Sequence, residues 1–275
     1  MYTTLISAED LANNIDNPDW VIVDCRHDLV NLNAGRAGYQ IAHLPHAVFA
    51  DMETDLSGEK RALDGTFRGR HPLPGREAFV DTLRAWGVND DTQVVAYDAH
   101  GGMYAARLWW LLRWVGHDAV AVLDGGMAAW QALGQPLTAE IGRPTPGSIS
   151  ARAPLVTTVD AAEVLKNIDT AERVVVDARA PDRFRGENET MDPVGGHIPG
   201  AKNRFFKDNL QADGRFKEPA QLRTELGDVA ANPAKAIMQC GSGVTACHNL
   251  LALEVAGMPG AALYPGSWSE WCADT

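Results

Sequence analysis

An internal repeat is the feature that most constrains the fold of this chain of 275 residues. Residues 21–26 read Val-Ile-Val-Asp-Cys-Arg, and residues 174–179 read Val-Val-Val-Asp-Ala-Arg. His-Leu-Pro-His-Ala at 43–47 returns as His-Ile-Pro-Gly-Ala at 197–201, at almost the same separation. A repeat on this scale predicts two similar halves, each large enough to bury a hydrophobic core of its own.

Composition marks the junction between these halves. Proline and glycine are frequent from 134 to 154, as is typical of a connecting segment. We therefore predict a first domain at 1–137, a linker at 138–154 and a second domain at 155–275.

Net charge and hydropathy exclude several classes of function. The formal net charge of -12 argues against nucleic acids and anionic membranes as partners, because both reward clustered Lys and Arg. Residues 1–20 have no basic stretch followed by an apolar one, and no apolar run approaches the length of a membrane span. We expect a cytoplasmic protein that holds any anionic substrate with a few local cations.

Cysteine usage argues against structural disulfides and metal sites. The four cysteines are Cys25, Cys240, Cys247 and Cys272, and none of them forms a C-x-x-C pair. Their spacing is neither that of a disulfide framework nor that of a zinc site. We expect no metal and no organic cofactor.

Short β-branched runs alternate with helical patterns along the first half. The predicted strands are 21–25, 94–97 and 120–123, and the predicted helices between them include 76–86 and 104–114. Repeated strand-helix units predict an α/β fold with a parallel sheet and helices on both faces. In such sheets, ligands bind beyond the carboxyl ends of the strands.

Cys240 is the strongest candidate for chemistry. It follows the apolar run 236–238 and opens the loop Cys-Gly-Ser-Gly-Val-Thr at 240–245, after which 246–256 reads as a helix. Loop N–H groups and the positive end of a helix dipole favour a thiolate, which is the nucleophilic form of cysteine. The alternative interpretation is a small apolar residue at the end of a buried strand. In the register of the repeat, Asp98 lies opposite Cys240, so we expect only the second half to carry a nucleophile.

Together with Tyr-Pro-Gly-Ser-Trp-Ser-Glu-Trp at 264–271, these motifs resemble the two-domain sulfurtransferases of the rhodanese superfamily over nearly the whole chain. The resemblance implies two tandem rhodanese-like domains, each a parallel sheet flanked by helices. It also implies an inactive N-terminal domain, with Asp98 in place of cysteine, and a catalytic C-terminal domain in which Cys240 forms a persulfide.

The active loop indicates the sulfur donor. Thiosulfate-preferring rhodaneses have basic residues after the cysteine, whereas the neutral loop at 240–245 is similar to that of 3-mercaptopyruvate sulfurtransferases. A neutral loop suits a donor with one carboxylate, since a dianion gains more from Arg or Lys in the loop. We expect 3-mercaptopyruvate as the small-molecule donor and cyanide, a small thiol or a thioredoxin-like protein as the acceptor. The alternative is a thiosulfate:cyanide sulfurtransferase.

The resemblance also assigns substrate-binding residues. Arg183 matches the family's substrate arginine. Arg179 is a second candidate, with a structural partnership to a carboxylate as its alternative role, and Arg185 is a third. Relatives supply another substrate arginine from the loop before His-Ile-Pro-Gly, but residues 186–192 contain none. We therefore expect a rather high KM for mercaptopyruvate.

Ser242 and His71 are further candidates for catalysis by resemblance, as members of a Ser-His-acid relay in which Glu53 fills the acid position. Capping of the following turn is the alternative for Ser242, and a loop residue that packs the domain interface is the alternative for His71. The rest of the predicted substrate loop consists of Gly241, Gly243, Val244 and Thr245.

Two rival functions differ in class. A phosphatase with a related fold uses Cys-x₅-Arg, but Ala246 stands at the arginine position, so phosphate would be poorly held. A non-catalytic sulfur carrier or interaction module would form a persulfide on Cys240 without turning over free mercaptopyruvate.

Overall fold

The computed structural model describes residues 1–273, which divide into two compact units. The first unit consists of Met1–Ser57, Pro74–Leu155 and Ala212–Arg215. The second consists of Gly58–Leu73, Val156–Gln211 and the chain from Phe216 onward. Gly58–Leu73 thus packs within the second unit, whereas the domain limits predicted from the sequence place it in the first.

The first unit is built on a five-stranded sheet. Its strands are β1 (Leu5–Ile6), β2 (Trp20–Asp24), β3 (Val48–Phe49), β4 (Gln93–Tyr97) and β5 (Val120–Leu123). Their order in the sheet is β1-β5-β4-β2-β3, and every pair of neighbours is parallel. Its helices are α1 (Ala8–Ala12), α2 (Ala34–Ile41), α3 (Arg76–Ala85), α4 (Ala105–Trp114) and α5 (Gly126–Ala132).

The second unit repeats this architecture. Its strands are β6 (Thr157–Thr158), β7 (Val174–Asp177), β8 (Lys202–Asn203), β9 (Ala236–Gln239) and β10 (Ala262–Leu263). Their order in the sheet is β6-β10-β9-β7-β8, again parallel throughout. Its α-helices are α6 (Ala161–Thr170), α7 (Pro181–Phe184), α8 (Pro219–Ala230), α9 (Thr245–Val255) and α10 (Ser267–Trp271). Phe206–Asn209 and Pro233–Lys235 form 3₁₀ helices. The predicted α/β fold of two parallel sheets is confirmed.

The central strands explain the apolar runs in the sequence. Every residue of β4 and of β9 is buried, as expected for interior strands of a parallel sheet that is covered on both faces. Helix α9 is buried along most of its length, which accounts for its weak amphipathic pattern. The start of α9 is therefore held in place by packing around the whole helix.

The predicted linker is tied to the first unit by backbone hydrogen bonds. Gly147 N donates to Arg84 O at 2.7 Å, and Arg152 N donates to Val115 O at 2.8 Å. Ile149 between them is buried. Within residues 1–273, no helix combines the length and the hydropathy that crossing a membrane requires.

Candidate active site

Cys240 follows directly after β9, at the carboxyl end of the central strand of the second unit, and only 2 % of it is exposed. The loop leads into α9, which begins at Thr245. Cys240 N donates to Ser267 Oγ at 3.1 Å, and Cys240 O accepts from Trp268 N at 2.9 Å. The backbone of Cys240 is thus fixed just before the N-terminal end of α9.

Ser267 has an unusual backbone conformation. Its φ is 54°, in the left-handed region that a serine adopts only at an energetic cost, and it is fully buried. Its Oγ accepts from Cys240 N and donates to Tyr264 O at 2.9 Å. Sequence reasoning used Ser267 only as part of a family motif and missed this direct support of the cysteine.

Gly243 brings the loop against residues 264–269, which we call the closing segment. Its φ is 76°, and a Cβ at this position would lie 2.3 Å from Pro265 O. Only glycine fits this conformation and this close backbone approach. The loop 240–244 and the segment 264–269 therefore pack backbone to backbone.

Ser242 and His71, which the sequence proposes for a relay, are brought together. Ser242 Oγ and His71 Nδ1 lie 2.8 Å apart, and both residues are buried. The N-cap residue of α9 is Val244, so Ser242 does not cap the helix itself. Glu53, the predicted acid, belongs to the first unit, and the complete relay stays a prediction.

Arg183, the predicted substrate arginine, lies on α7 and is already paired with carboxylates. Its Nη2 donates to Glu189 Oε1 and Oε2 at 2.8 and 2.9 Å and lies 3.4 Å from Asp192 Oδ2. Its side chain remains 21 % exposed, whereas those of Glu189 and Asp192 are nearly buried. An incoming carboxylate can therefore reach Arg183, but it meets two acidic neighbours there.

Arg179 lies in a different environment. Its Nε and Nη2 donate to the carboxylate of Asp177, with Nη2 at 2.7 Å, and its guanidinium stacks 4.8 Å from the centre of the Trp268 ring. The side chain is 1 % exposed. This geometry favours the structural role over substrate binding. Arg185 is exposed and pairs with Glu187.

Arg70 is a cation that sequence reasoning missed. A Cβ built on Gly241 would lie 2.7 Å from Arg70 Nη2 and 3.7 Å from both terminal nitrogens of Arg183. Arg70 Nη1 forms an ion pair with Asp192, and Arg70 N donates to Ser269 Oγ at 3.1 Å. Its place directly before the candidate His71 was the one available signal. Two guanidinium groups thus flank the residue that follows the candidate nucleophile.

The pKa values of Cys25 and Cys272 argue against this role for them, although all four cysteines, Cys240 included, are buried. Burial, followed by the charge of Asp24, raises the pKa of Cys25 well above its ordinary value. Burial, followed by the charge of Asp192, also raises the pKa of Cys272. Both residues are therefore poor nucleophiles near neutral pH.

Glu189 is ionised in the site. Its burial opposes ionisation, but hydrogen bonds from Arg183 and from the backbone N–H of Met191 and Asp192 outweigh burial and lower the pKa of Glu189. The carboxylate therefore stays charged at neutral pH and offsets part of the positive charge of Arg183.

In the first unit, the loop that corresponds to 240–245 surrounds the carboxylate of Asp98. Asp98 Oδ1 accepts from the N–H groups of His100 and Gly102 at 2.7 and 2.9 Å, and Oδ2 accepts from Tyr104 and Ala105 at 2.8 and 3.0 Å. A negative charge in the register position of Cys240 is therefore stabilised by four backbone donors in this half.

Comparison with known proteins places these observations in a family. The family model of the rhodanese-like domain matches residues 7–133 and 160–274 of the sequence. A probable 3-mercaptopyruvate sulfurtransferase of Pseudomonas aeruginosa is 45 % identical over 273 residues, which cover 98 % of this chain and 95 % of the relative. A thiosulfate sulfurtransferase of Mus musculus is 36 % identical, with coverage of 98 % and 92 %.

Solved structures agree. The 3-mercaptopyruvate sulfurtransferase of Leishmania major superposes with a TM-score of 0.86 at 29 % identity, over 98 % of this chain and 74 % of that one. The 3-mercaptopyruvate sulfotransferase SseA of Escherichia coli superposes with a TM-score of 0.84 at 33 % identity, over 98 % and 100 %.

Proposed function

The chain belongs to the family of proteins with rhodanese-like domains, and on that premise we propose that it is a sulfurtransferase that moves sulfur from 3-mercaptopyruvate to an acceptor through a persulfide on Cys240. The observation that carries the proposal is the position of Cys240, fixed between β9 and α9 beside a glycine that two arginines approach. A carboxylate bound by Arg183 would bring the rest of a small donor to the cysteine.

The reaction is a double displacement. The Cys240 thiolate attacks the sulfur of mercaptopyruvate, an S–S bond forms, and the C–S bond breaks with its electron pair moving to carbon as the enolate of pyruvate. The enolate takes up a proton and leaves as pyruvate. The acceptor then attacks the outer sulfur of the persulfide, the S–S bond breaks, and the Cys240 thiolate is restored.

Ser242 and His71 are suited to the proton step. Their hydrogen bond places a hydroxyl two residues from Cys240, with an imidazole that can hold or supply its proton. In this proposal Ser242 donates toward the carbonyl oxygen of the donor as enolate charge develops. In the same proposal, the N–H groups of residues 241–245 support the thiolate before attack.

Charge balance supports mercaptopyruvate over thiosulfate. The arginines around the loop, Arg70, Arg179 and Arg183, are matched by the carboxylates of Asp177, Glu189 and Asp192. A site with so little excess positive charge is better suited to a monoanion than to a dianion. The second candidate, a thiosulfate sulfurtransferase, is favoured by the relatives of that activity.

The test compares kcat/KM for mercaptopyruvate and for thiosulfate with cyanide as the common acceptor. We expect mercaptopyruvate to be the better donor, and Cys240→Ser to lose both activities. A wild-type protein that is faster with thiosulfate would reverse the donor assignment. A persulfide that forms on Cys240 without turnover of either donor would favour the sulfur-carrier alternative. The thiol or thioredoxin-like acceptor and the cytoplasmic location remain predictions from the sequence.

A further inference from the structure

We propose that Arg70 is the second guanidinium that binds the carboxylate of the sulfur donor, taking the place of the arginine that residues 186–192 lack. The inference rests on the proposed function and adds a residue that determines specificity. It assigns the role to a segment, Gly58–Leu73, that the sequence places in the non-catalytic half but that packs within the second unit.

The first argument is proximity to the reacting residue. Arg70 Nη2 lies closer to Gly241 than the guanidinium of Arg183 does, and no side chain larger than hydrogen would fit there without moving Arg70. Gly241 is bonded directly to Cys240. An anion that binds Arg70 and Arg183 together is therefore held beside the nucleophile.

The second argument is that the backbone of Arg70 is held in register with the active loop. Ser269 N donates to Gly241 O at 2.9 Å, while Ser269 Oγ accepts from Arg70 N at 3.1 Å. Gly69 has a φ of 96°, and a Cβ there would lie 2.8 Å from Gly266 O. One serine thus ties Arg70 and the loop to the same point of the closing segment.

The third argument is the pairing of the two arginines. Asp192 Oδ1 pairs with Arg70 Nη1, and Asp192 Oδ2 lies 3.4 Å from Arg183 Nη2. One carboxylate thus bridges both guanidinium groups. Because the Arg70 side chain is 20 % exposed, its pairing with Asp192 leaves part of this side chain accessible to a ligand.

This arrangement also predicts discrimination between donors. Asp192 keeps two like charges close together before a donor binds, and its own negative charge repels a second anionic group at the same place. A monocarboxylate can share the two guanidinium groups with Asp192. A dianion such as thiosulfate is opposed more strongly.

The experiment is Arg70→Gln, with Arg68→Gln as the matched control because Arg68 is an exposed arginine two residues earlier. We expect KM for mercaptopyruvate to rise at least about tenfold in Arg70→Gln, while kcat stays within about threefold. Arg68→Gln should behave as wild type. An unchanged KM in Arg70→Gln, with wild-type turnover intact, would overturn the inference while leaving the proposed function standing.

A second readout does not depend on sulfur transfer. The rate of Cys240 alkylation is measured by peptide mass spectrometry with anionic iodoacetate and with neutral iodoacetamide. Arg70→Gln should lower the iodoacetate to iodoacetamide rate ratio, and Asp192→Asn should raise it. A structural loosening would change both rates together, so an unaltered ratio in Arg70→Gln contradicts the role of Arg70. Absence of turnover in wild type with the expected ratios would instead contradict the proposed function alone.

Discussion

Ser242 Oγ and His71 Nδ1 lie 2.8 Å apart, although 171 positions separate the two residues in the chain. Both are buried, and both belong to the second unit. The bond brings an imidazole from Gly58–Leu73 to a hydroxyl in the active loop. Under the proposed function, this pair supplies the proton to the group that would leave as an enolate.

Removal of the Ser242–His71 pair should slow turnover of mercaptopyruvate more than turnover of thiosulfate. We expect Ser242→Ala and His71→Ala each to lower kcat with mercaptopyruvate about 10–100-fold, since the enolate needs a proton. Thiosulfate turnover should fall less, because sulfite leaves without protonation at carbon or oxygen. The double variant should be little worse than either single one, and His46→Asn, at an exposed histidine of the first unit, is the control. Equal losses with both donors would contradict a proton-transfer role.

Cys240 should carry the transferred sulfur alone. After incubation with donor, mass spectrometry of wild type should find one added sulfur atom on the peptide with Cys240, and Cys240→Ser should show none. Cys25 and Cys272 serve as internal controls, because burial raises the pKa of both thiols. A persulfide on Cys247 or Cys272 would disprove this assignment.

Substitution of the three arginines near α7 should have three different effects. Arg183→Ala should weaken the binding of mercaptopyruvate by about 1.5–3 kcal/mol, the value of a charge-assisted hydrogen bond, and this loss should appear as a higher KM. Its folding stability should change little. Arg179→Ala should instead destabilise the fold by about 3–5 kcal/mol, since it leaves Asp177 buried and unpaired. Arg185→Ala should do neither. Denaturant unfolding and steady-state kinetics on the same samples separate these outcomes.

Two glycines of the loop should respond differently to alanine. In Gly241→Ala the new Cβ meets the flexible end of Arg70, so we expect a raised KM with stability changed by less than about 1 kcal/mol. In Gly243→Ala it meets the backbone of Pro265 at a φ of 76°, so we expect a loss of stability of about 2 kcal/mol or more. Thermal unfolding with kinetics tests the contrast, and a stability loss confined to Gly241→Ala would contradict it.

Acid stability should depend on Glu225. Its burial opposes ionisation, but hydrogen bonds from Arg204, Lys217 and Gln221 outweigh burial and lower its pKa from 4.5 to about 2. A lowered pKa in the folded state means that the stabilisation is complete above the ordinary carboxyl pKa and is lost as pH falls toward 2.

Glu225→Gln should therefore lower the free energy of unfolding near neutral pH by about 1–2 kcal/mol after solvent screening. The variant should accordingly unfold at a lower denaturant concentration than wild type. The difference from wild type should shrink as pH falls from 4.5 toward 2. Glu187→Gln, at an exposed pair, is the control. A difference that stays constant across this pH range would show that the charge of Glu225 is not responsible.

The sequence by itself determined the features that contiguous residues encode. These features are local: they are the repeated motifs, the apolar strands and the strand-loop-helix context of Cys240. Each can be read from a short stretch of sequence, because the signals for a buried strand and for a helix start lie in neighbouring residues. This local information was sufficient to predict an α/β fold with two parallel sheets. The helix predicted at 246–256 is α9 at Thr245–Val255.

Only the tertiary structure decided which charged groups surround the cysteine. Arg70 reaches Gly241 because Gly58–Leu73 packs within the second unit, and Asp192 pairs with both arginines because the loop before His197 folds back over α7. The left-handed backbone of Ser267 likewise follows from packing against Cys240. Such contacts join residues that are far apart in the chain, so they depend on the path of the backbone and on packing, which no local pattern of residues specifies.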